Sequence, residues 1–124
     1  RAYKNSKLAL LWFTYALQRR LGPGPLTANA VCPGFVPVTA AASTKGAMRW
    51  VLLHVMPHMP FATPVNVAVD SLTFMVLDPS LAGRGGGFWG EQRPLESSPE
   101  SRDAAKAERF WALAEHLTRS GPWP

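Results

Sequence analysis

Tyr3 and Lys7 stand four residues apart at the head of an apolar run. A helix there sets a phenol and an ammonium on one face, one turn apart. A cation beside a phenol favours the phenolate, pulling the tyrosine down from its usual pKa of about 10 toward working general acid/base chemistry. Downstream, Val31-Cys32-Pro33-Gly34 reads as a strand that ends in a tight turn. The residues alone leave a plainer reading open. In it Tyr3 is an ordinary amphipathic-helix residue with its hydroxyl in water, Lys7 is a solvent-facing charge, and Pro33-Gly34 only ends a strand.

The elements that must position these groups follow from periodicity. Tyr3 to Leu21 is helical in pattern, with Leu8, Leu11, Trp12, Tyr15 and Leu21 near one stripe and Leu10, Phe13 and Leu17 widening it. So broad an apolar surface predicts burial on more than one side. Gly22-Pro23-Gly24-Pro25 stops the helix. Leu26 to Cys32, short, apolar and bounded by turn formers, suits an interior strand of a parallel sheet. Ala40 to Thr44 reads as a flexible entry, and Ala47 to Met56 as a helix broken at Pro57 and Pro60. Thr63 as cap and Pro64 in the first turn open another helix, which runs through Val67, Val69, Leu72, Met75 and Val76 to Leu77. A short strand is expected over Phe88 to Gln92. Ser97-Ser98-Pro99-Glu100 starts a terminal helix whose buried side is Phe110, Leu113, Ala114 and Leu117, with Lys106, Glu108 and Arg109 outside it. The tail Gly121-Pro122-Trp123-Pro124 is expected to fray.

Composition narrows the classes. A chain of 124 residues is the size of one domain, and 47% hydrophobic with 10% aromatic residues supply a core. The net charge of +5 comes from scattered basic residues, without a basic run interleaved with aromatics, so no nucleic-acid partner is expected. Cys32 is the only cysteine, which excludes an internal disulfide framework, and at the end of a buried strand it reads as a small core residue. His54, His58 and His116 are too few and too ill-spaced for zinc, and no metal is expected. No apolar stretch reaches the roughly 18 residues of a spanning helix, and no signal peptide is visible. The chain opens at Arg1 without a methionine, so the true N-terminus is expected to be absent. Gly85-Gly86-Gly87-Phe88-Trp89-Gly90 tempts a phosphate-loop reading, but no helix follows the glycines and no Gly-Lys-Ser/Thr is present. A turn feeding a strand is the expectation.

The string Ala2-Tyr3-Lys4-Asn5-Ser6-Lys7-Leu8-Ala9, with Leu17 and Arg20-Leu21 later on the helix, resembles the catalytic helix of the short-chain dehydrogenase/reductase family, whose signature is Tyr-x-x-x-Lys. It is similar to the retinol-dehydrogenase-like and protochlorophyllide-reductase-like branches. The order of parts adds specificity, because a short Gly/Pro-rich connection leads to Leu26-Thr27-Ala28-Asn29-Ala30-Val31-Cys32-Pro33-Gly34-Phe35-Val36, and the family follows its catalytic helix with a strand and a Pro-Gly turn of this type. The resemblance implies an α/β fold: the C-terminal half of a doubly wound Rossmann-type parallel sheet, helix-rich as it stands. Residues 1–124 would be the C-terminal portion of one domain, with the dinucleotide-binding half absent. No Gly-rich loop after a first strand, no residue selecting the ribose 2′ group and no serine ahead of Tyr3 is present. Ser6 follows Tyr3 and is not that serine.

Carried over by resemblance, the function is that of an NAD(P)-dependent oxidoreductase interconverting an alcohol and a carbonyl on a rather apolar, retinoid- or steroid-like substrate. The cofactor is NAD or NADP, the preference not being readable. Tyr3 would be the acid/base, and Lys7 would lower its pKa and hydrogen-bond the nicotinamide ribose. Pro33 and Gly34 would let the backbone pass close to the nicotinamide, with Val36 contacting its amide. The family often has a threonine five residues after the turn proline; here that position is Val38, and the hydroxyl is displaced to Thr39. Either a local shift brings Thr39 to the cofactor or that contact is lost. Trp50, His54, Met56 and Met59 are either core or the lining of a substrate pocket, and Glu91 and Arg93 are read as surface charges. The isolated chain is expected to be nearly inactive and to bind dinucleotide weakly or not at all. A homo-oligomer and an intracellular location, compartment open, complete the expectations. The competing reading is a truncated, non-catalytic homologue serving as an interaction or scaffold module, and the sequence upstream of Arg1 separates the two.

Overall fold

A computed structural model describes residues 2–119 of the chain. The expectation for the tail at Gly121-Pro122-Trp123-Pro124 lies outside the described residues. Eight elements follow in order: α1 (Ala2–Leu21), β1 (Ala30–Val31), α2 (Pro37–Ala42), α3 (Gly46–His54), α4 (Val65–Leu77), β2 (Phe88–Gly90), β3 (Arg93–Pro94) and α5 (Ala104–Thr118). Single 3-10 turns cover Met56–His58, Pro79–Leu81 and Pro99–Arg102. The chain is helix-rich α/β, and its strands form one small mixed sheet in the order β1-β2-β3. Bonds from Ala30 N–H to Gly87 O at 2.9 Å and from Cys32 N–H to Trp89 O at 2.7 Å advance along both strands in the same sense, the mark of a parallel pair. β2 and β3 are antiparallel, with Trp89 opposite Pro94 and Gly90 opposite Arg93.

Several expectations are corrected. The strand expected over Leu26 to Cys32 shrinks to Ala30–Val31, half-buried, and Cys32 is exposed and free rather than a core residue. Ala40 to Thr44 belongs largely to a helix, α2, because Pro37 presets the first-turn φ and the alanines carry no opposing preference. The strand expected over Phe88 to Gln92 stops at Gly90, since Glu91 and Gln92 both take positive φ (49° and 62°). Two such residues make a two-residue turn of the kind that closes hairpins. Glu91 and Arg93 are surface charges and pair with each other at 3.1 Å.

The chain divides into two compact units; within the described residues the first gathers 2–30, 80–88 and 95–119. Its core is the crossing of α1 with α5. Ala16 and Ala107 are 0% and 1% exposed, and with Trp111 they form the buried cluster against which Trp12 and Leu17 pack. Small residues at a crossing let two helix backbones approach; Ala16 is the buried residue of α1, while the broad apolar surface expected there is half-buried along its stripe and exposed at Leu10 and Phe13. On α5 the expected buried face holds in part: Phe110 and Ala114 are half-buried, but Leu113 and Leu117 are 52% and 70% exposed, and Ala107 and Trp111 are the buried residues. The helix starts where Asp103 accepts from Lys106 N–H at 3.0 Å, and the preceding Ser98 caps the 3-10 turn rather than α5 itself. Trp12 Nε1 donates to Glu100 O at 3.0 Å and Tyr15 Oη to Ser97 Oγ at 2.8 Å, holding the entry to α5 along α1.

Glu108, expected outside, is gripped by α1. Its carboxylate accepts from Arg20 at 2.7 Å and from Arg19 at 2.9 Å. Those hydrogen bonds, Arg20 first and Arg19 second, lower its pKa from 4.5 to about 2. A carboxyl depressed on folding adds stability that is complete above its unfolded value and is lost as pH falls through the folded one. All three side chains are partly solvated, so screening reduces the contribution to about 1 kcal/mol. Glu108→Gln is therefore expected to unfold below the parent temperature at pH 7, with the gap closing between about pH 4.5 and 2. A gap that persists at pH 2 would contradict the linkage.

The second unit comprises Val31–Pro79 and Trp89–Pro94. Val36, Ala41, Leu52, Ala68 and Trp89 are its buried apolar residues. The ring of Phe74 lies 6.0 Å from that of Trp89. α3 is tied to the end of α2 by Arg49, which donates to Ala41 O at 2.8 Å. It ends at His54, and Pro57 is accommodated in the 3-10 turn that follows. The cap expected at Thr63 is not formed: Pro64 holds the cap position of α4 with no side-chain bond, because Thr63 is engaged elsewhere, as described below.

Candidate active site

Tyr3 and Lys7 fall on one face of α1, the ammonium nitrogen 5.3 Å from the centre of the phenol ring. That distance lies within the range of a cation–π contact. Tyr3 is 74% exposed, and its hydroxyl makes no hydrogen bond to the chain among the described residues. Both groups are thus solvent-accessible and next to each other. Ser6 Oγ donates to Tyr3 O at 2.8 Å, a bond along the helix.

The other expected site residues lie in the second unit. Pro33 and Gly34 follow β1 and are exposed, Gly34 with φ +81°. A Cβ on Gly34 would overlap Thr63 Oγ1 and stand 2.9 Å from Thr63 Cβ, so glycine is required here by Thr63 as well as by the backbone angle. Val36 is buried, and Val36 O accepts from Thr39 N–H at 3.2 Å and from Thr39 Oγ1 at 2.8 Å. Thr39 and Val36 are therefore brought together in the first turn of α2, with the threonine proton committed to the backbone. Trp50 is 59% exposed with its ring 5.2 Å from that of His54, so neither is a core residue. Met56 is half-buried and Met59 is exposed. Among the described residues no cluster of His, Cys, Asp or Glu could hold a metal ion, and no helix is long and apolar enough to cross a membrane.

Two residues escaped the sequence. Gln18, on α1, accepts from Ala28 N–H at 2.7 Å and donates to Gly22 O at 3.4 Å, tying the helix that carries Tyr3 to the approach of β1. Its amide also lies against Gly85 where a Cβ would stand. The glycine run therefore serves close approach to Gln18, and the sequence signal was present: three glycines with no helix behind them need another reason to be glycine. Gly86 N–H donates to Ala28 O at 2.8 Å and Gly87 N–H to Asn29 Oδ1 at 2.8 Å, completing the clasp. Gly85→Ala is expected to cost about 1–3 kcal/mol by overpacking. The cost falls in a Gln18→Ala background, where the obstructing amide is gone, and strictly additive unfolding free energies would refute the contact. Thr63 is the second: the sequence marks it only as a helix cap, and nothing local signals its place against Gly34.

Comparison with known proteins places these residues in a wider setting. Over 94% of its length the chain is 32% identical to the WW domain-containing oxidoreductase of Homo sapiens, of which it spans 27%. It is 28% identical to retinol dehydrogenase 13 and 30% identical to polyprenol dehydrogenase, both of Homo sapiens, in each case over 94% of the chain and 36% of the relative. The chain thus spans between 27% and 36% of the length of these curated relatives. No family model matches it, and no solved structure matches it.

Proposed function

We propose, from the premise that this chain is a distant relative of the short-chain dehydrogenase/reductases, that it is the acid/base-bearing portion of an NAD(P)-dependent alcohol–carbonyl oxidoreductase acting on an apolar substrate. One observation carries the reading: Tyr3 and Lys7 share an exposed face of α1, phenol against ammonium, ahead of β1 and the Pro33-Gly34 turn. Each unit carries a part that suits a dinucleotide. In the first unit the Lys7 ammonium offers three N–H donors to ribose hydroxyls, and in the second unit the exposed Gly34 presents no side chain that would hold a flat ring away. Thr39 fits less well, because its proton is spent on Val36 O.

The nicotinamide supplies the acceptor or donor of hydride when bound. The work of the chain is proton management. In the oxidising direction the Tyr3 phenolate takes the alcohol proton as the carbonyl forms, and in the reducing direction the Tyr3 phenol returns it. Lys7, one turn on, holds the ribose. The test is dinucleotide-dependent turnover of apolar alcohols by the full-length protein that carries this chain, set against Tyr3→Phe. Equal turnover by the two proteins ends the reading.

A second reading, an interaction or scaffold module, is favoured by α4. Val65, Val69, Leu72 and Val76 are all exposed, and at that spacing they form one apolar ridge. The scaffold reading requires no turnover at all, so the same assay separates the two.

A further inference from the structure

We infer that Thr63 is a positioning residue for the Pro33-Gly34 turn, so that dinucleotide affinity depends on a side chain that itself touches neither cofactor nor substrate; the inference rests on the functional reading of that turn given above. The residues on both sides of the contact are unusual in a way that fits. Gly34 takes φ +81°, and the room its side chain would fill is occupied by Thr63 Oγ1. The next residue is held too: Thr63 N–H donates to Phe35 O at 2.7 Å, Phe35 and Ala62 pair in parallel, and the rings of Phe35 and Phe61 lie 6.0 Å apart. Segment 61–63 therefore runs beside the turn as a brace.

The brace is anchored behind. α4 begins two residues after Thr63, with Ala68 N–H donating to Pro64 O at 3.1 Å and with Ala68 and Ser71 buried. Thr63 stands between a fixed helix and a glycine that has no side chain of its own to limit it. Removing the Thr63 side chain leaves the backbone bond to Phe35 in place, so the turn stays formed but gains room to shift. Proton transfer belongs to Tyr3 and Lys7 on α1, so the expected signature is weaker dinucleotide binding with little loss in the chemical step. A threonine without this role would show no such split.

The experiment uses the full-length protein with Thr63→Ala and Thr63→Ser. Thr63→Ala is expected to raise KM for the dinucleotide about fivefold or more with kcat within about twofold, and Thr63→Ser, which keeps the hydroxyl, to restore KM to within about twofold of the parent. Amide hydrogen exchange at Gly34 and Phe35 reads the same contact without turnover. It is expected to quicken about tenfold in Thr63→Ala while the amides of α5 are unchanged. Unchanged exchange overturns the inference, as does a KM for Thr63→Ala equal to that of the parent. Tyr3→Phe with full activity would instead overturn the functional reading, and the exchange result would still decide whether Thr63 restrains the turn.

Discussion

Tyr3→Phe in the full-length protein is expected to lose about 10²–10⁴ of kcat/KM, the range set by a positioned general acid/base and equivalent to about 3 to 5 kcal/mol of transition-state stabilisation. The loss is assignable to chemistry because the substitution removes one oxygen from a side chain that is mostly solvated and makes no hydrogen bond to the chain among the described residues. Folding stability should move by no more than about 0.5 kcal/mol, and the ring on which Lys7 rests is retained. On the proposed reading Lys7→Met should fall in the same direction, because that reading gives Lys7 the contact to the ribose. Ser6→Ala should be near the parent, since Ser6 Oγ serves only the backbone of Tyr3. Steady-state kinetics on these three variants separate a proton-transfer role from a packing role. Equal loss in Ser6→Ala would point to damage in the first turn of α1, and no loss in Tyr3→Phe would remove the tyrosine from the reaction.

The parts of this molecule that were legible in the sequence are those decided by neighbours a few residues apart. α1 was readable because its apolar pattern has helical period over five turns and Gly22-Pro23 ends it without ambiguity, and that alone puts Tyr3 and Lys7 on one face. What escaped depends on contacts between distant segments. Thr63 looks like a helix cap until its backbone is seen bonded to Phe35 and its hydroxyl pressed on Gly34. Glu91-Gln92 carries no Asn-Gly signal, yet both residues take positive φ because β2 and β3 pair across them. Ala16 and Ala107 are unremarkable letters in their helices. They become the centre of the first unit only because two helices meet there, and a hydrophobicity pattern that scores large residues first assigns the burial to Leu113 and Leu117 instead.

The same crossing sets the largest expected change in stability. Trp111→Ala is expected to cost about 3–5 kcal/mol, because Trp111 is 6% exposed and its side chain is held by a stacked ring, a cation and a hydrogen bond. Its ring stacks on Phe13 at 5.3 Å with the planes 10° apart, Arg20 lies over it at 4.2 Å, and its Nε1 donates to Glu115 at 2.7 Å. Truncation leaves a void beside Ala16 and Ala107, two residues with no side chain long enough to fill it. Trp111→Phe should cost less than half as much, since it keeps a ring for Phe13 and Arg20 and gives up only the indole hydrogen bond and part of the area. Trp50→Ala provides the contrast: a tryptophan more than half exposed on α3 should change stability by about 0.5 kcal/mol or less. Denaturant unfolding of the three variants decides the matter. Should Trp111→Ala and Trp50→Ala cost the same, the α1–α5 crossing would not be the core of the first unit, and the helix that carries Tyr3 and Lys7 would be held in place by something other than α5.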